Sequence, residues 1–267
     1  MVNRRSFLLR NAPAAAMASA AMVAPESSLA VTDPSENSYL IECVTYRLDF
    51  GPQMGNVLGW IEKRAIPLWQ RYRFGPVGVF TVEVGPHIPA VFVIRTYSSL
   101  ADRSAVWKNL GRDAEWGAAV ADLEKDGPAS RGEDMILLTS TLFSPPIKPV
   151  PAGEPARKLF EFRIYESPTW RQLGYLHDRF AGGEIEIFHK SGIHPLFYGD
   201  TLTGPNQPNM VYMIPYQDAA AREKAWTAFR NDPGWVKLLD DSIRKGGEIV
   251  RNISNIMLTP ANFSMIR

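Results

Sequence analysis

At 267 residues, with 45% hydrophobic and 11% aromatic side chains, the chain has enough apolar material for one or two packed cores. Lys and Arg total 29 against 28 Asp and Glu, and no basic stripe runs along the sequence, which argues against nucleic acid as a main partner. A single cysteine, Cys43, excludes an intramolecular disulfide and a cysteine-based metal site.

Residues 1–30 read as an address. Asn3-Arg4-Arg5-Ser6-Phe7-Leu8-Leu9 has the pattern of a twin-arginine export signal. A mild Ala-rich run from Ala12 to Ala24 follows, and Ser28-Leu29-Ala30 offers a small-x-small cleavage site. The run is too short to span a bilayer stably, so the expected product is periplasmic and has no membrane span after signal removal. Cleavage there would leave 26 basic and 27 acidic residues.

From Tyr39 to Phe50 apolar and polar residues alternate, which predicts a strand with Ile41, Cys43 and Thr45 on one face and Glu42, Val44 and Tyr46 on the other. Met54, Val57, Leu58, Ile61, Ala65 and Leu68 recur at helical spacing, with Pro67 expected to kink or shorten the last turn. Residues 76–84 and 90–96 predict two strands joined by a Gly85-Pro86 turn. A second helix through Ala101, Ala105 and Leu110 follows, and Asp113 is the expected N-cap of a third through Trp116. Residues 135–143 close the set as a strand.

The same series then recurs. Sliding Pro76–Trp116 by 119 positions onto Pro195–Trp235 matches 10 of 41 residues without a gap, among them Gly85/Gly204, Tyr97/Tyr216, Arg103/Arg222, Trp107/Trp226, Asp113/Asp232 and Trp116/Trp235. The register pairs Glu42 with Glu161 and Tyr46 with Tyr165 as well. The order β-α-β-β-α-β in each copy predicts an α+β chain of two tandem ferredoxin-like modules, over residues 39–144 and 158–267. Between them, residues 145–157 form a Pro-rich linker, with five prolines from Pro145 to Pro155. In the second copy, Gly182-Gly183 predicts a break in the first helix.

The ordered set Glu42, Tyr46, Gly85-Pro86, Tyr97, Ala101, Arg103, Trp107, Asp113 and Trp116, repeated in the second copy, resembles the NIPSNAP family of the dimeric α+β barrel superfamily. The resemblance covers about residues 39–143 and 158–267. It implies two modules closing into one intramolecular barrel. The superfamily also holds cofactor-free monooxygenases, haem enzymes and non-enzymatic binders, and the NIPSNAP branch has no agreed catalytic residues to carry over.

A four-stranded sheet with helices on one face leaves the other to be covered. The apolar set (Ile41, Cys43, Thr45; Phe160, Phe162, Ile164) suits packing against helices, so the polar set is expected in the barrel lumen. The candidate ligand-binding residues there are Glu42, Tyr46, Glu161, Arg163, Tyr165, Tyr198, Asp200 and Tyr212, with Arg95 also in reach. His87 is expected in solvent and His177 packed and hydrogen-bonded. His189 and His194 match no standard zinc spacing, so neither a metal nor a cofactor is called. The reading is an exported barrel that binds a small organic molecule in its lumen, with self-association left open. Its alternatives are a cofactor-independent monooxygenase acting on an aromatic substrate and an interaction module without catalysis.

Overall fold

The computed structural model describes residues 38–151, 157 and 159–267. The expected export signal, residues 1–30, and several residues of the expected linker lie outside this range. In the first half, β1 (Leu40–Arg47) leads to α1 (Gln53–Trp60), a π-helical turn (Ile61–Ala65) and α2 (Ile66–Arg71). Then come β2 (Gly78–Val84), β3 (Ala90–Tyr97), α3 (Leu100–Leu110), α4 (Ala114–Leu123) and β4 (Gly132–Ser140). The second half repeats the order with β5 (Leu159–Glu166), α5 (Trp170–Arg179), a π-helical turn (Phe180–Glu184) and α6 (Ile185–Lys190). It ends with β6 (Phe197–Thr203), β7 (Asn209–Tyr216), α7 (Ala219–Arg230), α8 (Pro233–Gly246) and β8 (Asn252–Pro260).

All eight strands are antiparallel to their neighbours and close one barrel in the order β1-β3-β2-β8-β5-β7-β6-β4. The first four strands are contiguous in it, as are the last four. They meet at two seams, β2–β8 and β4–β6, each with a register shift. β4 begins three residues before the predicted strand, at Gly132-Glu133-Asp134. These are poor strand formers held extended by pairing with Arg47, Tyr46 and Thr45 of β1.

Local chemistry accounts for the helix ends. Asp113 and Asp232 accept the backbone N–H groups of the first turns of α4 and α8, and Pro233 takes an opening position that needs no donor. The predicted break at Gly182-Gly183 is the second π-helical turn, where Gly183 sits at φ +144°, a conformation that a side chain would strain. The first π-helical turn occupies the matching place 119 residues earlier, just before Pro67, although its sequence Ile-Glu-Lys-Arg-Ala has no glycine.

Both faces of β1 and β5 are covered over most of their length, and the face assignment differs from the expected one. Ile41, Cys43, Phe80, Phe92, Phe160, Phe162, Phe197 and Met213 share one core. It includes ring contacts between Phe80 and Phe160 at 5.0 Å and between Phe92 and Phe162 at 5.1 Å, from strands that are not neighbours. Only the barrel interior brings such strands together, so the apolar set fills the lumen. The polar set lies on the outer face, beneath the helices. Two further cores sit there, one under α1–α4 and one under α5–α8. The lumen is where the two halves pack apolar side chains against each other, and it takes the side chains that need no partner. Glu42 and Glu161 instead lie where arginines on the helices reach them.

Candidate functional site

On the outer face of the first half, Glu42 is 1% exposed. Its Oε1 accepts a hydrogen bond from the Tyr97 hydroxyl (3.1 Å) and lies 3.0 Å from Arg95 Nε, while its Oε2 accepts from Arg103 of α3. Trp107 Nε1 donates to the Tyr97 hydroxyl in turn (3.0 Å). The Arg95 guanidinium lies 4.8 Å from the ring centre of Trp69 and 5.0 Å from that of Trp107, and its Nη2 donates to the Tyr46 hydroxyl (3.2 Å). Cation–π contact offsets part of the cost of burying that charge.

The second half builds a closed version. Arg163 donates from Nη1 to Glu161 Oε1 (2.5 Å), from Nε to the Tyr212 hydroxyl (3.0 Å) and from Nη2 to the Tyr165 hydroxyl (3.1 Å). Arg222 of α7 grips both oxygens of Glu161, and Trp226 Nε1 adds a third donor at 3.0 Å. Burial pushes the Glu161 carboxyl up, but these donors and the Arg163 charge outweigh it and hold the group below its usual range. Tyr198 is buried in the same core, and Asp200 Oδ1 accepts from His177 Nε2 at 2.8 Å on the outer face. The eight candidates thus fall into two clusters, Glu42 with Tyr46 and the remaining six in the second half. None of them lines the lumen.

Two cavities flank these clusters. The larger, about 990 Å³, opens at one end of the barrel. Cys43, Phe92, Phe162 and Ile164 line its depth, and Thr45, His87, Asp134, Asn206 and Ser254 its rim. Burial pushes the Cys43 thiol far above its ordinary range, so it is an apolar wall and not a nucleophile.

The second cavity, about 330 Å³, lies between sheet and helices of the first half, walled by Trp60, Trp69, Trp107, Trp116, Tyr46 and Arg95. Trp116 packs against all three other indoles at 5.5–6.5 Å. Glu133 lines both cavities. Glu133 is exposed on β4, yet the desolvation around its carboxyl pushes it above the ordinary range, with Arg95 lowering it and Glu42 raising it further.

In the second half the places of Trp60, Ile61 and Trp69 are taken by Arg179, Phe180 and Phe188. Phe180 packs on Tyr165, Tyr198 and Tyr212, and Arg179 pairs with buried Glu184 at 2.7 Å. A more open hollow of about 450 Å³ remains there, which Arg163 does not line.

Sequence reasoning missed Trp60, Trp69 and Glu133 as pocket residues. The two indoles lie nine positions apart, as do Trp107 and Trp116, but only the packing of α1, α2, α3 and α4 turns those spacings into one wall. Among the described residues no group of three His, Cys, Asp or Glu side chains is placed to hold a metal ion, and no helix is long and apolar enough to cross a membrane.

Solved structures share this architecture at low identity. A putative monooxygenase from Lactobacillus acidophilus aligns with a TM-score of 0.55 and 9% identity over 84% of this chain and 94% of its own. A putative monooxygenase from Fusobacterium nucleatum gives 0.54 and 8% over 83% and 92%, and an anthrone oxidase-like protein gives 0.52 and 11% over 84% and 92%. These likenesses establish the barrel fold alone. No curated protein matches the chain by sequence. The NIPSNAP family profile matches residues 41–145 and 160–265, most of the chain and both halves of the barrel. The chain belongs to the NIPSNAP family.

Proposed function

We propose that the protein is a cofactor-independent, monooxygenase-like barrel that acts on a planar aromatic substrate in the Trp-walled pocket of the first half. The observation that carries this is the buried Arg95 guanidinium set among indole rings beside the Glu133 carboxylate. A phenol or enol held there supplies the electrons itself. Glu133 takes its proton, Arg95 balances the negative charge, and the resulting carbanion reduces O2. A CH2 group plus O2 then gives C=O plus H2O, with no outside reductant. The likeness of the fold to putative monooxygenases and to an anthrone oxidase-like protein supports the same reading by analogy.

The two halves are read as ferredoxin-like modules, 39–144 and 158–267, delivered to the periplasm by the twin-arginine signal. The test is oxygen uptake with anthrone and its ring-hydroxylated derivatives, comparing the wild type with Glu133→Gln and Arg95→Met. Protein-dependent uptake that both substitutions depress supports the reading. Uptake no faster than in buffer across the series removes it.

A second reading, binding without turnover in the barrel mouth, has its own observation: a cup of about 990 Å³ with an apolar depth and a polar rim. Ile164→Trp would fill that cup. Loss of ligand retention in this variant, with oxygen uptake unchanged, separates the cup from the pocket.

A further inference from the structure

Arg95 and Arg163 serve equivalent carboxylates, yet only one of them is fully engaged. Each of the three guanidinium nitrogens of Arg163 donates a hydrogen bond, which shows that this fold is able to give every nitrogen of a buried arginine a partner. Arg95 is 1% exposed, and its Nη1 has no hydrogen-bond partner among the described residues. Its Nε has only the ion-pair contact with Glu42. Trp69, 2% exposed, stacks on the same guanidinium, and its Nε1 is also unpartnered. Both residues line the 330 Å³ pocket. A buried donor left without an acceptor bears its full desolvation cost, and both of these belong to residues that wall one small cavity.

The charges point the same way. Arg95 and Arg103 share the single carboxylate of Glu42, so the deep end of the pocket carries one excess positive charge. Glu133 lies at the end shared with the barrel mouth and makes no ion pair among the described residues. The pocket therefore has a cationic, donor-rich end and an acidic end, with indole faces between them. Its volume, about 330 Å³, suits a flat molecule of up to three fused rings.

We propose that this pocket recognises its ligand as an oxyanion: a planar aromatic molecule whose carboxylate or ionised ring hydroxyl is received by Arg95 Nη1 and Trp69 Nε1, with its far edge toward Glu133. The inference rests on the pocket named above but not on any turnover there. A charge-assisted bond to a desolvated guanidinium is about twice as strong as a neutral one, so anionic ligands gain most.

The experiment uses the full chain, wild type and as Arg95→Met, Arg95→Lys and Trp69→Phe. The probes are 2-naphthoate, its neutral isostere 2-naphthamide, and 4-nitrophenol, with binding followed by calorimetry and indole quenching. Naphthoate should bind the wild type about tenfold or more tighter than naphthamide. That preference should vanish in Arg95→Met and survive in part in Arg95→Lys. 4-Nitrophenol, added below its solution pKa, should show the phenolate absorption band when bound.

The two anion arms distinguish a carboxylate ligand from a ring oxyanion. Equal affinity for naphthoate and naphthamide together with nitrophenol bound as the neutral phenol overturns the proposal, as does a preference unchanged in Arg95→Met. Should Arg95→Met fail to fold, Trp69→Phe decides: a weakened preference for the anion upholds the proposal and an unchanged one overturns it. Anion selectivity without oxygen uptake sinks the oxygenase reading and leaves this inference standing; uptake on ligands bound without anion preference does the reverse.

Discussion

Glu42 and Arg95 face each other directly across β1 and β3, with Arg95 Nε 3.0 Å from Glu42 Oε1. The matching carboxylate of the second half, Glu161, finds its arginine two places along its own strand instead, at Arg163. The repeat register places Val44 where Arg163 stands and Ile214 where Arg95 stands. What the duplication preserves is the buried pair, not the residue that completes it. The exchange of strands is also what leaves Arg95 free to face a cavity.

Arg163 is the better test of structural dependence. Removing one partner of a buried pair leaves the other uncompensated, which costs about 3–5 kcal/mol. Arg163→Met also strands the Tyr165 and Tyr212 hydroxyls, while Arg222 and Trp226 still hold Glu161. The expected loss is therefore about 3 kcal/mol in denaturant-induced unfolding. A loss below about 1 kcal/mol would mean that the guanidinium is not paired as described.

Glu161 predicts a pH dependence. Its folded pKa is held down, so its stabilisation is present above the unfolded glutamate value of about 4.3 and is lost as the pH falls through the lower folded value. Glu161→Gln lacks this contribution. The stability gap between wild type and variant should be widest near neutrality and narrow on acidification below about pH 4. Thermal melts across that range check the sign, and a gap that widens in acid contradicts it.

The lumen assignment is tested by Phe162→Ala and by Cys43. Phe162 is buried in the barrel core against Phe92, and its truncation should cost about 3–5 kcal/mol. Cys43 is 1% exposed and its thiol is held protonated by burial, so a thiol reagent should label it only in denaturant. Rapid labelling of the native protein would place Cys43 elsewhere.

The twin-arginine reading of residues 1–30 predicts that export depends on the arginine pair itself. Replacing Arg4 and Arg5 by Lys keeps the charge, yet should strand the precursor in the cytoplasm if the pair is what the twin-arginine machinery reads. Fractionation of cells expressing the double variant is the check, and normal periplasmic recovery rules the signal out.

The strands, most of the helices and the repeat were legible in the sequence, because periodicity and the Asp113 and Asp232 caps are local signals. The face of each strand was not. Alternation in β1 and β5 separates Ile41 and Cys43 from Glu42, and Phe160 and Phe162 from Glu161, without saying which side is wet. Here neither side is. Distant donors, Arg103 and Arg222 on α3 and α7, make the polar side burial-competent. The pocket was hidden for a similar reason. Trp60 and Trp69 lie in or beside the predicted first helix but outside its apolar set, and nothing local marks them until α3 and α4 bring Trp107 and Trp116 to the same pocket.

The two seams have a consequence for how the barrel assembles. Each half, taken alone, ends in two strands whose outer N–H and C=O groups lack partners, β2 and β4 in the first and β6 and β8 in the second. Bare edges of this kind recruit whatever strand comes within reach. Carrying both halves on one chain turns that encounter into a loop closure, whose entropic cost rises only slowly with length. Barrel closure is then first order in protein, and dilution that would dissociate a pair of unlinked half-barrels leaves this one shut.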